Sequence, residues 1–171
     1  MPWSLIPRVL IPRVLIALLV LAPLPASAEC ADPAGPAVNW RRCYHDGRDL
    51  KGVDLKGAML RDATFQRSSL DGADLADVDA YHAKFVSAGM PGVNFDGARL
   101  IEADFTRANL EKATFRGADL RNAKLINANL KAVDLTGARV SGADLRNADL
   151  SGALWTDGQH RCAAGSLGQC N

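Results

Sequence analysis

From Arg48 to Asp157 the chain keeps one hydrophobic beat, a large apolar residue every fifth position. The series runs Leu50, Leu55, Leu60, Phe65, Leu70, Leu75 and on to Leu145, Leu150 and Trp155. It makes 22 consecutive positions, and Ala80 is the one small residue among them. Two residues before each lies a small side chain, such as Ala58, Ala63, Ala103 or Ala143, and between the two sits a polar residue, frequently Asp or Asn. A period of five matches neither the amphipathic helix nor the half-buried strand. An apolar pair recurring at that interval describes a chain that turns inward, rounds a corner and turns inward again. Glycine two residues after many of the apolar centres (Gly52, Gly57, Gly72, Gly97) agrees with a corner there, because glycine tolerates dihedrals other residues avoid. Corners repeated in this way predict a solenoid whose coils stack as parallel strands.

The individual units read Ala-Asp-Leu at 73–75, 118–120, 143–145 and 148–150, and Ala-Asn-Leu at 108–110 and 128–130. This run of units resembles the pentapeptide repeat family. The resemblance implies an all-β fold, a right-handed quadrilateral parallel β-helix with one pentapeptide per side and twenty residues per coil. On that plan the 22 pentads make about 5.5 coils. Residues twenty apart then share a column, and Phe stacks on Phe in two of them (Phe65, Phe85, Phe105; Phe95, Phe115). The interior is filled by its own side chains, which implies no cofactor.

The first 28 residues have a different character. Arg8 and Arg13 precede an apolar run from Val14 to Leu24, and Ala26-Ser27-Ala28 forms a small-x-small cleavage site. The stretch reads as a signal peptide cut after Ala28, giving a periplasmic or secreted protein. Its apolar run is shorter than the roughly 20 residues a bilayer span needs, so no stable membrane span is expected after cleavage. The division is therefore signal peptide 1–28, N-terminal cap 29–47, β-helix 48–157 and C-terminal cap 158–171. Cleavage removes two arginines and leaves 18 basic against 19 acidic residues. A nearly neutral chain has no global field to steer nucleic acid.

All four cysteines lie outside the repeat: Cys30 and Cys43 before it, Cys162 and Cys170 after it. In an oxidising compartment they read as two disulfides, for which three connectivities exist. The coil count that the resemblance implies separates the ends by roughly 26 Å, whereas disulfide Cα atoms lie within about 7 Å. That leaves 30–43 with 162–170. Zinc is the competing reading, since His45 follows Cys43 and His160 precedes Cys162, although neither end offers four ligands at finger spacing. The caps are needed to close the solenoid's open ends. Trp40 is expected to lie over the first coil and Trp155 to close the last. A Trp beside a Cys-bracketed Gly/Ser loop is similar to the ends of other exported bacterial pentapeptide proteins.

Nothing in the chain assembles a catalytic, cofactor or metal site. His45, His82 and His160 fall in different regions, and the recurrent Asp residues follow the repeat, so their role reads as structural. Outward apolar residues are few: Met59, Tyr81, Val86, Ile101 and Ile126. Tyr81, Val86, Ile101 and Ile126 form the candidate partner-contact surface. Two polar columns alternate in sign, Asp79, Arg99, Asp119, Arg139 and Lys84, Asp104, Lys124, Asp144, which predicts cross-coil ion pairs on two sides. The side centred on Leu55 stays acidic through Asp54, Asp74, Asp77 and Asp96, and the opposite side keeps Arg67, Arg107 and Arg146. The resulting functional reading is a non-enzymatic exported scaffold that meets an envelope protein or a second copy of itself, and no nucleic acid. The family's best-understood members resemble B-DNA and bind DNA gyrase, which calls for acidic faces, a cytoplasmic address and a dimerising C-terminal helix. An envelope enzyme would need a site that these residues do not compose.

Overall fold

The computed structural model describes residues 30–171; the stretch 1–28 expected to be a signal peptide, with its expected cleavage site, lies outside the described residues. Parallel bridges join residues twenty apart without interruption from Asn39↔Met59 to Asp134↔Leu154. One coil is thus twenty residues, with a turn at every fifth. The four sides are named here by the apolar centres Leu50, Leu55, Leu60 and Phe65.

The backbone hydrogen bonds explain the five-residue unit. In the pentad around Leu75, the Leu75 amide donates to Asn94 O in the next coil at 2.7 Å, and Asp77 N donates to Asp96 O at 2.9 Å. Asp74 N donates to Val53 O in the preceding coil at 2.9 Å, and Ala73 N closes the corner on Leu70 O at 3.0 Å. One amide of the five is left over, that of Ala76, and the Asp74 carboxylate accepts from it at 3.0 Å. The same bond recurs at Lys56 on Asp54, Asp96 on Asn94, Thr106 on Asp104 and Thr136 on Asp134. An Asx side chain reaching two residues ahead is the natural partner for such an amide. Where Thr replaces it, at Thr64 and Thr114, the carboxylates of Asp46 and Asp96 from the coil before accept from Gln66 N and Arg116 N at 2.8 and 2.9 Å. Where Gly89 leaves no side chain at all, the next-but-one residue is Pro91, which has no amide to satisfy.

The sides do not form extended strands among the described residues; each contributes a single bridging residue. The reason lies in the corner. The second residue after each centre is left-handed, as at Arg67 (φ 57°), Asp77 (φ 58°) and Gly97 (φ 68°), so no side is long enough for a second bridge. Glycine is preferred at this corner rather than required, since the left-handed conformation costs a substituted residue about 1–2 kcal/mol. At Gly97 a Cβ would sit 2.5 Å from Asp77 Oδ1, so the exposed Asp77 carboxylate would have to turn aside.

The stack starts two pentads before residue 48. Asn39 and Tyr44 already bridge to Met59 and Thr64, and Trp40 and His45 occupy buried inward centres. Trp40 therefore belongs to the first coil instead of lying over it. At the far end the chain after Asp157 folds back antiparallel, with Leu154↔Arg161 and Asp149↔Leu167, over the Leu150 and Trp155 sides. Cys30–Cys43 and Cys162–Cys170 are bonded, with Cα–Cα distances of 5.3 and 4.8 Å, so all four sulfurs are in disulfides and none is left for zinc.

Inside, Phe65, Phe85 and Phe105 stack at 5.2 and 5.0 Å with rings within 8° of parallel, and Phe95 stacks on Phe115 at 5.1 Å. The two columns meet edge to face, Phe85–Phe95 at 5.8 Å and Phe95–Phe105 at 5.7 Å. Both geometries suit the ring quadrupole. Ala80, the small centre, is fully buried beside them. His45 continues the aromatic column, 5.2 Å from Phe65 and 4.0 Å from Trp40. Arg48 Nη1 donates to its Nδ1 at 2.8 Å, so the neutral ring carries its proton on Nε2, which is buried with no partner among the described residues.

Replacing Phe105 with Ala removes the central ring of the column and should cost about 3–5 kcal/mol. Thr106→Ala, one residue on and facing outward, should stay within about 0.5 kcal/mol of the parent protein. Equal shifts in urea denaturation would show that the inward and outward positions are misassigned.

Burial, then the Arg48 charge, push the His45 pKa down to about 4, against a smaller opposing pull from Asp46. Above the ordinary value near 6.5 the ring is neutral folded and unfolded, and pH has no effect through it. As pH falls from 6.5 towards 4 the unfolded chain takes up a proton that the folded chain refuses, so stability declines. The full loss is of order 3 kcal/mol. Denaturation of His45→Leu across that window should give a flatter profile than the parent; parallel profiles would refute the assignment.

Candidate interaction surface

Because the core is closed, whatever this chain recognises must meet its outer walls, and the ladder decides what those walls present. On the Leu60 side the column Asp79, Arg99, Asp119, Arg139 stacks in consecutive coils. Arg99 pairs with Asp79 at 3.5 Å and Arg139 with Asp119 at 3.3 Å, as sign alternation predicts. Asp119 also holds Arg121 by two bonds of 2.8 and 2.7 Å, and the Arg121 hydrogen bonds keep its carboxyl below the usual range. On the Phe65 side the equivalent column, Lys84, Asp104, Lys124, Asp144, stacks without an ion pair between its members. Asp144 is taken instead by Arg146, at 2.6 Å. Lysine does pair across coils elsewhere, Lys51 with Asp71 at 3.9 Å and Lys131 with Asp149 at 3.2 Å, and nothing in the structure explains why Lys84 and Lys124 do not.

The acidic side keeps its character with a different internal logic. Asp54 stands under Asp74, and the column continues with a ladder of side-chain bonds, Asn94 Nδ2 to Asp74 at 2.9 Å and Thr114 Oγ1 to Asn94 at 3.2 Å. Arg116 reaches Asp134 at 2.7 Å.

Of the four apolar residues expected to face a partner, Tyr81 and Ile101 fall in one column on successive coils, while Val86 and Ile126 are two coils apart with Thr106 between them. All four are half-buried. Tyr81 is held between two guanidinium groups, Arg61 at 5.2 Å and Arg99 at 5.6 Å from its ring centre, the geometry of a cation–π contact. The large apolar side chains that do stand out are Tyr44, 82% exposed, and Leu167, 60% exposed. Both lie in segments the sequence assigns to the caps, where the five-residue count gives no facing. A second feature absent from the sequence reading is the pair His82 Nδ1 and Asp62 Oδ1, 3.0 Å apart on adjacent coils. It is visible in the sequence once residues twenty apart are paired. No hydroxyl or thiol among the described residues bonds to His82, so the pair is not a catalytic triad.

The chain matches the family model for pentapeptide repeats, with eight copies over residues 49–85, 82–117 and 113–152. No curated protein matches it. Among solved structures it is similar to HetL, a pentapeptide repeat protein involved in heterocyst differentiation regulation from the cyanobacterium Nostoc sp. strain PCC 7120. The identity is 28%, over 72% of this chain and 64% of HetL, with a TM-score of 0.45, so the chain spans less than two thirds of HetL's length. Rfr23, a pentapeptide repeat protein from the cyanobacterium Cyanothece 51142, is 27% identical over 62% of this chain and 84% of that one, with a TM-score of 0.42. Full-length QnrB1, a plasmid-mediated fluoroquinolone resistance protein, is 21% identical over 69% and 70%, with a TM-score of 0.41.

Asp119 separates two roles of the recurrent acid. Asp119→Asn keeps an oxygen for the Arg121 amide and loses the ion pairs with Arg121 and Arg139, which at an outer wall are worth about 0–1 kcal/mol. Asp119→Ala loses the amide's partner as well and should cost about 1 kcal/mol more. If chemical denaturation gives the two variants equal stability, charge and not amide capping keeps Asp in the repeat.

Proposed function

The chain belongs to the pentapeptide repeat family, and from that membership we propose that it is a non-enzymatic, exported module of the bacterial envelope that works through its outer walls. The carrying observation is a core occupied from Trp40 to Ala153 by the chain's own side chains, with a disulfide at either end. A filled interior confines recognition to the surface. Disulfides persist in oxidising compartments, which supports export through the leader read at 1–28. No helix among the described residues is long and apolar enough to cross a membrane. We take the rod to be quadrilateral, with the 5.5 coils of the repeat lengthened by the two N-terminal pentads of Trp40 and His45. Its partner on this reading is an envelope protein or a second copy, met along two adjoining sides, one with Tyr81 and Ile101 and the other with Val86 and Ile126.

The exported protein should begin at Glu29. N-terminal sequencing and fractionation check this, and a soluble cytoplasmic form that retains Arg8 and Arg13 with four reduced cysteines would overturn the export reading. For the wall, a photo-crosslinker at Ile101 should capture a partner that one at Lys112, on another side, does not.

A further inference from the structure

An open cleft at the N-terminal end of the Leu60 side is lined by Asn39, Arg41, Arg42, Arg61 and Asp62. The stacking assembles it. Arg41 and Arg61 follow the centres Trp40 and Leu60, so they stand one coil apart in the same column. Arg42 occupies the adjoining left-handed corner (φ 59°), with its amide fixed to Arg61 O at 2.8 Å. Like charges set directly over one another in a ladder are unfavourable. Arg99, Arg116, Arg121, Arg139 and Arg146 each reach a carboxylate within 4 Å. Arg41 and Arg42 reach none among the described residues. Arg48, Arg67, Arg107 and Arg161 also lack a carboxylate within 4 Å among the described residues, but none of them stands over a second arginine. The Nη2 of Arg41 rests instead on the thioether sulfur of Met59, at 2.9 Å, a weak acceptor for a guanidinium. Arg61 holds Asp79 loosely at 3.8 Å and spends its face on Tyr81. The one acid lining the cleft, Asp62, is engaged by His82.

We propose that this cleft binds a multiply charged phosphate-type oxyanion. Three guanidinium forks around one concavity call for several oxygens and more than one negative charge, which a phosphate ester or pyrophosphate supplies and a single carboxylate does not. The source is either a soluble phosphorylated molecule or the phosphate of an anionic lipid headgroup, since both offer the same group. The assignment is independent of export, and it shares Arg61 with the surface that carries Tyr81.

Calorimetric titration of the disulfide-bonded protein with inorganic pyrophosphate at low salt should give saturable, single-site binding that weakens as salt is added. Arg41→Ala and Arg42→Ala should each weaken it on the order of tenfold, with melting curves confirming that both variants fold. Arg107→Ala, on the Phe65 side, should leave it unchanged. Sedimentation with phosphatidylglycerol vesicles, against phosphatidylcholine vesicles, separates the sources. Binding to anionic vesicles that pyrophosphate releases assigns the lipid phosphate, and pyrophosphate binding without vesicle binding assigns a soluble ligand. No saturable pyrophosphate binding, or equal weakening by Arg107→Ala and Arg42→Ala, would overturn the proposal.

Discussion

Turning a chain four times in twenty residues puts a left-handed residue at every fifth position, and the rest of this structure follows from that constraint. The corner limits each side to one bridging residue and leaves one amide in five without a backbone acceptor. An unpaired amide is expensive, and in many pentads the residue before the apolar centre is one that can accept from it. Asp74, Asp104 and Asp134 do so directly, Asp46 and Asp96 do so from the coil before, and Pro91 removes the donor. What reads as a stripe of acids on the surface is the completion of the backbone's hydrogen bonding.

With the backbone satisfied locally, the core is free to be wholly apolar, and its specificity comes from shape. Flat rings tolerate the close coil spacing by stacking, and neighbouring columns lock them edge to face. His45 is the exception that tests this economy. Its ring fits the aromatic column above Phe65, yet its polar edge has Arg48 on one nitrogen and no partner among the described residues on the other. The first coil gains shape complementarity there and takes on a sensitivity to acid that no other inward position has.

The period of five made the repeat and the inward set legible from the sequence, because every pentad from Leu50 to Trp155 obeys one rule, and the resemblance to the pentapeptide repeat family supplied the twenty-residue coil. The start of the stack was not legible, since Trp40 and His45 break the aliphatic rule while Val38 and Cys43 keep the small-residue position. Facing was also lost in the caps, which is why Tyr44 and Leu167 escaped notice as exposed apolar residues. Sign alternation located the pairs of Arg99 and Arg139 but not the absence of pairing along Lys84, Asp104 and Lys124, because a charge pattern does not say which cation can reach. The arginine cleft depends on Arg41 belonging to the first coil, so it could not be drawn while residues before 48 were read as a cap.

The antiparallel return at the C-terminus pairs with two particular sides, through Leu154 with Arg161 and Asp149 with Leu167. The columns fix how such a gene can lengthen. Duplicating one pentad would shift everything beyond it by one side, setting Phe columns over Leu columns, while the tail would travel with Asp149 and Leu154 and keep its pairing. Duplicating four pentads returns every column, every Asx bridge and the tail to where they were. Descent by tandem duplication should therefore proceed in steps of a whole coil, and the lengths open to this rod in evolution are quantised by the register of its columns.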